Sequence, residues 1–591
     1  RWEPVPRPAD PGDPARGTHG RVLLDRTHLR ERVVDPRFGP VLGVIRDTNA
    51  PFAMSSAVHP DAKAWGYGRA PRFDRSEPLA VLEVYERLAG FPHHGAVLTD
   101  TPYADLRGRA LDPASLGGYT AEQLAHPMSR VLPGDAGTPR DWVWGHRLRD
   151  GEPVLVPAEV GFYQYEYTER MARHRARRAP ADRRRRHFQP ESSSGCALGS
   201  SLEEAALHSL FELAERDAFL LAFHRARPLP ALDPGSLDDP VSRMLLDSIE
   251  ARGYDAHLLV ITQDIDIPAV WALAVHRGGG YPATWSAAGS GADPAGAVRG
   301  ALWELAQLVR EPADRERADA ERLLADPYRV DVLEDHYVLY SLPQTLPRIT
   351  TVLGGPAVGL HEAFPEAAER FRAEAAGDVL GALRRTERLY ADAGLDTVVI
   401  VDQTTREHTD LGLAVAKAVV PGIVPMCFGH AQQRLTGLPR LERALAEAGR
   451  PVAAFGIQRR EPSNPYNDHR GYASVRSKFP VHAFVTGGGR RRLVDPGRHA
   501  LLDMAGGGAA GEPAAVVLAG RFTHLPDYYR PLRGPLTELE LGINLRALAV
   551  AMELFGVEGR LRLPGADDTG LPAGLGLAPA WQWTLPLVVE T

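Results

Sequence analysis

Two stretches of this chain carry the same arrangement of groups able to hold a cation. One reads LAVLEVYERLAG and contains Glu83, Glu86 and Arg87. The other reads EEAALHSLFELAERDAF and contains Glu204, Glu212, Glu215 and Arg216. In each, two glutamates three apart are followed directly by arginine within an apolar helical pattern. Side chains three apart share one helix face. Carboxylates on such a face are costly to bury unless they are paired or bind a cation. Two such helices facing one cavity would form an acidic cage for a hard divalent ion, and Mg2+ suits carboxylate oxygens. A single ExxER is commonly a solvated face with salt bridges to the next turn; the second copy is what makes the metal reading worth carrying.

A third polar helix strengthens it. Residues 294–311 contain Arg299, Glu304, Gln307 and Arg310, and the last three lie at successive i, i+3 spacings. Alone, this is a surface stripe. Facing two carboxylate helices, it would supply cationic and amide groups for phosphate. His208 sits one turn from both Glu204 and Glu212, where a packed histidine and a nucleotide contact are both open readings. Cys196, in the SSSGCALG turn, reads as a core thiol.

These residues need elements to position them. Residues 39–45, 254–262, 269–275 and 397–402 are short, apolar and rich in β-branched residues, and predict strands. Residues 76–90, 201–223, 240–253, 293–311 and 375–394 predict helices, several opening on Ser, Asp or Pro. The fold class is therefore mixed α/β, of the α+β kind. Residues 1–19 read as an N-terminal arm and 20–455 as the main domain. A polar stretch near 456 opens a smaller C-terminal α+β unit, 456–591, with a long apolar helix at 536–557 and a final strand in WQWTLPLVVET.

Composition narrows the function. The 591 residues carry a net charge of −7, so there is no general basic footprint for nucleic acid. The two cysteines, Cys196 and Cys427, exclude a disulfide scaffold and fit a reducing cytoplasm. No apolar run is long enough to span a membrane, and no secretory leader pattern opens the chain. Lysine occurs only at Lys63, Lys417 and Lys478. An arginine-rich run, 170–188, includes Arg183 to Arg186; it reads as a mobile loop or as a basic flap near an anionic ligand. No glycine group has the spacing of a phosphate-binding Walker loop or a dinucleotide fingerprint.

The order SSSGCALGSSLEEAALHSLFELAERDA, with WGYGRAPRFDRSEPLAVLEVYERLAG upstream and GSGADPAGAVRGALWELAQLVR downstream, resembles the YcaO family. VDPRFGPV and VVIVDQTTREHTDLGLAVAKAVVPGIVPMCFGHAQQRL are similar to segments of its azoline-forming members. The resemblance spans roughly 20–455. It implies an ATP site built from helices, with Glu83, Glu86, Glu204, Glu212 and Glu215 around Mg2+ and phosphate. It implies nucleotide contacts from Arg69, Arg87, Ser194, His208, Arg216, Gln307 and Arg310. It implies a cyclodehydratase that converts Cys, or Ser and Thr, of a ribosomally made precursor peptide to azolines, in thiopeptide-like or related natural-product biosynthesis. A thioamide- or amidine-forming enzyme of the same type and a non-catalytic nucleotide- or peptide-binding scaffold are the alternatives. A separate ThiF-like or leader-recognition partner, an azoline dehydrogenase partner and a homodimer are expected. Three departures stand out: Leu79 replaces a usual Ser, Ser194 replaces a usual Asn, and the basic residue after Gln307 is displaced to Arg310. The chain ends LPLVVET rather than in a Pro-rich tail, which leaves the catalytic base open. The C-terminal unit resembles the later half of nitroreductase-like, SagB-type dehydrogenases. Its FMN-phosphate half has at best a remnant in Arg476 and Lys478, so a docking or dimerisation role without FMN is expected, with an FMN azoline dehydrogenase as the alternative.

Overall fold

The computed structural model describes residues 1–10, 19–20, 32–48, 50, 52–59, 64–92, 96–165, 187–309, 314–448, 457–460, 468–470, 480–495, 500–504, 514–525, 532–554, 557–563, 575, 577 and 582–591. Arg310, residues 170–186 of the arginine run, Arg476 and Lys478 lie outside the described residues. The chain divides into two compact units. One is residues 1–346 with 352–442; the other is 347–351 with 443–591.

The larger unit uses one local device three times. A strand carries a glycine near its end, the chain turns, and a helix folds back onto that strand. Helix α1 (Phe73–Leu88) follows strand Ala64–Ala70, α2 (Leu202–Arg225) follows Cys196–Gly199, and α3 (Pro294–Leu308) follows Thr284–Ser290. The glycines let helix and strand backbones touch. A Cβ on Gly68 would lie 1.8 Å from the Ser76 carbonyl oxygen, one on Gly199 2.7 Å from the Ala205 nitrogen, and one on Gly289 2.2 Å from the Ala297 oxygen. Gly68→Ala or Gly289→Ala must therefore push a helix off its strand. Each is expected to cost about 1–3 kcal/mol in denaturant unfolding, the range for overpacking; an unchanged midpoint would contradict the contact.

The three helices sit on three sheets. α1 covers an antiparallel sheet of Val44–Asp47, Ala53–His59 and Ala64–Ala70. α3 packs on a five-stranded sheet ordered Thr284–Ser290, Ala269–His276, Tyr254–Val260, Ala231–Leu232, Ala357–Val358. α2 belongs to a sheet ordered Leu98–Pro102, Pro139–Arg147, Val399–Asp402, Ala414–Val419, Cys196–Gly199, with Pro153–Pro157 also on Pro139–Arg147. Helix α4 (Val379–Asp392) closes the core beneath α2, where Leu207, Leu210, Leu383 and Tyr390 are buried together. Ser201 caps α2 by accepting from the Glu204 amide at 3.2 Å, and Asp293 caps α3 through Ala295 and Gly296 at 3.2 and 3.1 Å.

The mixed α/β class holds; most expected elements shift by a few residues at their ends, and two change more. The strand expected at 39–45 forms only from Val44, with Val41 in an isolated bridge to Val34. The helix expected at 375–394 is broken, because Ala376 and Gly377 take φ of 53° and 71° and Asp378 then caps α4. The first residues of the chain are also anchored: Glu203 accepts from the Val5 amide at 3.0 Å and from Arg7 Nε at 3.2 Å.

In the smaller unit, a six-stranded antiparallel sheet is ordered Ala500–Asp503, Arg490–Asp495, Val481–Gly487, Ala515–Gly520, Leu587–Glu590, Arg560–Arg562. Alternate residues of Ala515–Gly520 face opposite cores. Val516 and Leu518 meet Leu541, Leu548 and Met552 of helix α5 (Arg533–Leu554), while Val517 and Ala519 face Leu575 and Leu577. Among the described residues, no helix is long and apolar enough to cross a membrane.

Candidate active site

The carboxylates of α1 and α2 meet at the strand Cys196–Gly199. Glu86 reaches across from α1 and accepts from the Leu198 amide at 3.1 Å. Glu212 of α2 accepts from the Gly195 amide at 3.2 Å, at the start of the same strand. Glu83 is held one turn earlier, by the Tyr67 amide at 2.8 Å and Arg87 Nη2 at 2.6 Å. The two ExxER helices thus bring Glu86 and Glu212 to the same strand.

The electrostatics are those of crowded anions. Burial, then repulsion from Glu212 and Glu83, pushes the Glu86 carboxyl up to about 8. Burial raises Glu212 too, against Arg216 and Lys417, and Glu304 adds to the rise. Glu215 is pushed up to about 7 by burial, with Glu304 and Glu212 as further anions. Glu212 and Glu215 nonetheless keep 27% and 12% of their side-chain surface open to solvent. Arg216 lies between them, 3.8 Å from Glu212 Oε1 and 3.3 Å from Glu215 Oε1. Its single charge faces Glu212, Glu215 and Glu304.

α3 adds the polar group that its spacing implied. Arg69, on the strand before α1, donates to Gln307 Oε1, and its Nη1 lies 3.8 Å from Glu304 Oε1. Arg69 therefore links the α1 and α3 layers. Glu204 is placed differently: its carboxylate folds back on the Ser200 amide at 2.9 Å and on the Ser200 hydroxyl. His208 stacks edge-on against His19, ring centroids 4.8 Å apart. Leu79 lies 46% exposed, one turn before Glu83 on the same face. Burial pushes the Cys196 thiol up to about 12, so it is inert as a nucleophile.

Two residues outside the sequence reading complete the floor. Lys417, 1% exposed, donates to Ser194 O at 2.6 Å, Ser192 O at 3.1 Å and Glu191 Oε2 at 3.1 Å. Glu191 also accepts from Arg434. Burial opposes ionisation of Glu191, but Arg434 and Lys417 outweigh it and hold the carboxyl below its usual range. The signal was a lone lysine in the middle of an apolar strand, AVAKAVV, in a chain whose cations are nearly all arginine.

Among the described residues, no three His, Cys, Asp or Glu side chains close on one point to hold a metal ion. Instead the glutamates are spread out and take backbone amides and arginines as partners. The donor set still fits Mg2+ with a phosphate ligand: hard carboxylate oxygens, with Arg69, Arg87 and Arg216 beside them. The Ser194 hydroxyl is buried without a hydrogen-bond partner.

Comparison with known proteins points the same way. Residues 67–424, about three fifths of the chain, match the family described as YcaO cyclodehydratase, ATP- and Mg2+-binding. An uncharacterised protein of Methanothermobacter thermautotrophicus is 30% identical over 200 residues, 33% of this chain and 48% of that one. A Rhizobium leguminosarum bv. trifolii protein, described as uncharacterised in the tfuA 3′ region, is 31% identical over 222 residues, 35% and 49% of the two chains. The chain thus spans about half the length of the curated relatives it matches. A solved structure titled a heterocyclase in complex with substrate and cofactor shares the fold, with a TM-score of 0.56 and 20% identity, covering 75% of this chain and 57% of that one.

Proposed function

The chain belongs to the YcaO family, whose members bind ATP and Mg2+, and from that premise we propose that it is a cyclodehydratase acting on a ribosomally made precursor peptide. The observation that carries the reading is the convergence of Glu86 and Glu212 on the backbone of residues 195–198, with Glu215 and Arg216 beside Glu212 and an unpartnered Ser194 hydroxyl in the preceding turn. Such a group of carboxylates needs a cation, and a cation held there can bring phosphate. Mg2+ would supply charge neutralisation on the transferring phosphoryl group, with Glu83, Glu86, Glu212 and Glu215 as the residues to hold it.

In the proposed reaction, a substrate Cys thiol attacks the preceding amide carbonyl and forms a C–S bond. The resulting oxyanion takes the γ-phosphoryl group of ATP, and ADP leaves. The nitrogen then loses its proton, the C–O bond breaks, and phosphate departs, giving a C=N bond in a thiazoline ring. The thiol proton and the amide proton both pass to a base. A Ser or Thr hydroxyl would give the oxazoline. Phosphorylation matters because an amide oxygen leaves poorly and phosphate leaves well. The arginines and the glutamates act by position and charge.

The smaller unit is proposed as a docking or dimerisation module, with 456–591 as its extent and 20–455 as the catalytic domain. Leader recognition then falls to a separate partner protein. Incubating the chain with such a partner, precursor and ATP should remove one water per ring, with ADP and phosphate released in equal amounts. Mass loss without ATP would count against the mechanism; exchange of oxygen for sulfur would redirect it to thioamide formation. Flavin absorbance in the purified protein would overturn the docking assignment.

A further inference from the structure

We infer that Lys417 is a positioning residue for the nucleotide, acting through the Ser192–Gly195 turn; the inference rests on the ATP-binding reading above. Lys417 stands opposite Cys196 in the antiparallel register of Ala414–Val419 with Cys196–Gly199. An ammonium group has three protons to donate. Here three acceptors meet them: Ser194 O, Ser192 O and Glu191 Oε2. Lys417 therefore has nothing left to offer a ligand directly. What it does is hold two carbonyls of one turn on its own side. Within the turn the Ser192 hydroxyl donates to Met426 O at 2.8 Å and accepts from the Ser194 amide at 3.2 Å, and the Gly195 carbonyl accepts from the Ala418 amide at 2.9 Å, which leaves the Gly195 amide to donate to Glu212 at 3.2 Å and the Ser194 hydroxyl without a protein partner.

The device is tethered at each end. Glu191 is fixed by Arg434, and Arg434 Nη1 is held by the Leu116 carbonyl at 3.1 Å. Gly195 takes φ of +79°, a conformation an L side chain adopts only under strain, and a Cβ there would lie 2.8 Å from Leu213. The turn thus has one shape, set from below by the buried cation. An uncharged side chain of equal length would leave two carbonyls without donors and let the turn relax. The Ser194 hydroxyl would then lose the fixed position that the inferred nucleotide contact requires.

The test is a double-mutant cycle on the full chain, reading the affinity for a non-hydrolysable ATP analogue with Mg2+. Ser194→Ala alone is expected to weaken binding about tenfold, as loss of one charge-assisted hydrogen bond. Lys417→Met alone should weaken it at least as much. Ser194→Ala added to Lys417→Met should cost less than twofold, because the hydroxyl is already misplaced. Lys417→Arg should restore part of the affinity by returning the charge. Where Lys417→Met does not fold, Glu191→Gln takes its place, loosening one tether with the ammonium kept, and the same non-additivity is expected. Fully additive losses, or wild-type affinity in Lys417→Met, would overturn the positioning role alone. A wild-type chain that binds no ATP analogue would overturn the nucleotide reading and this inference with it.

Discussion

Replacing Glu212 and Glu215 together with Gln should abolish Mg2+-dependent ATP hydrolysis while making the nucleotide-free protein more stable. The loss in kcat is expected to be on the order of 10³-fold or more, because preorganised charge at a phosphoryl-transfer site is worth about 10²–10³ for each interaction removed. The gain in stability follows from the sign of the shifts. Glu212 is raised in the folded state, and Glu215 to about 7, so through these two groups the folded protein binds more protons than the unfolded chain above the ordinary carboxylate range. Their contribution to stability is thus intact in acid and is lost as pH rises through about 7. Gln keeps the shape and removes the titration. At pH 8 in a chelator, the double variant should melt a few degrees above wild type, and the gap should close toward pH 5. Loading wild type with Mg2+ and nucleotide at pH 7 should release protons into a weak buffer, as a metal displaces them from carboxyls. Unchanged hydrolysis in the double variant would sink the metal assignment. A lower melting temperature at pH 8 would sink the account of crowded anions.

The parts of this site that could be read from the sequence are those set by local periodicity. The i, i+3 glutamates of α1 and α2 and the Glu304–Gln307 pair lie on helices close to those expected, since apolar spacing and N-terminal Ser and Asp determine them. That Glu86 would find the Leu198 amide, or Arg69 the side chain of Gln307, is not local. Those contacts span 112 and 238 residues and depend on which sheet each helix covers. The glycine device was hidden for the same reason. Gly68, Gly199 and Gly289 look like ordinary strand glycines until the helix backbone lies against them. Glu204 lies on the expected helix, and its partners there, the Ser200 amide and hydroxyl, come from the turn just before the helix. Lys417 was legible as an oddity, but its three acceptors come from a turn over 220 residues earlier.

The face of α2 turned away from the glutamates should carry the larger share of stability. Asp217 follows Arg216 directly, is 1% exposed, and accepts from the Val424 amide at 2.8 Å. Arg440 grips it with both ends of its fork, Nη1 to Oδ1 at 2.6 Å and Nη2 to Oδ2 at 2.7 Å, while Nε donates to Asp264 at 2.8 Å. One guanidinium thus ties α2 to the chain at Asp264, and Asp217 brings in the segment at Val424. Arg440→Ala leaves a buried carboxylate with one amide for company, and breaking such a pair from one side costs about 3–5 kcal/mol. Arg440→Lys should recover little, because a single ammonium cannot reproduce the fork. Removing both charges should be milder than removing one: Asp217→Asn with Arg440→Met is expected to be more stable than Arg440→Ala alone. Denaturant unfolding of the four proteins decides it. If the double variant proves the least stable, the pair is more than a balanced buried charge. If Arg440→Ala unfolds at the wild-type midpoint, the bridge does not hold α2 in place, and the rigidity of the glutamate site must come from the strand glycines alone.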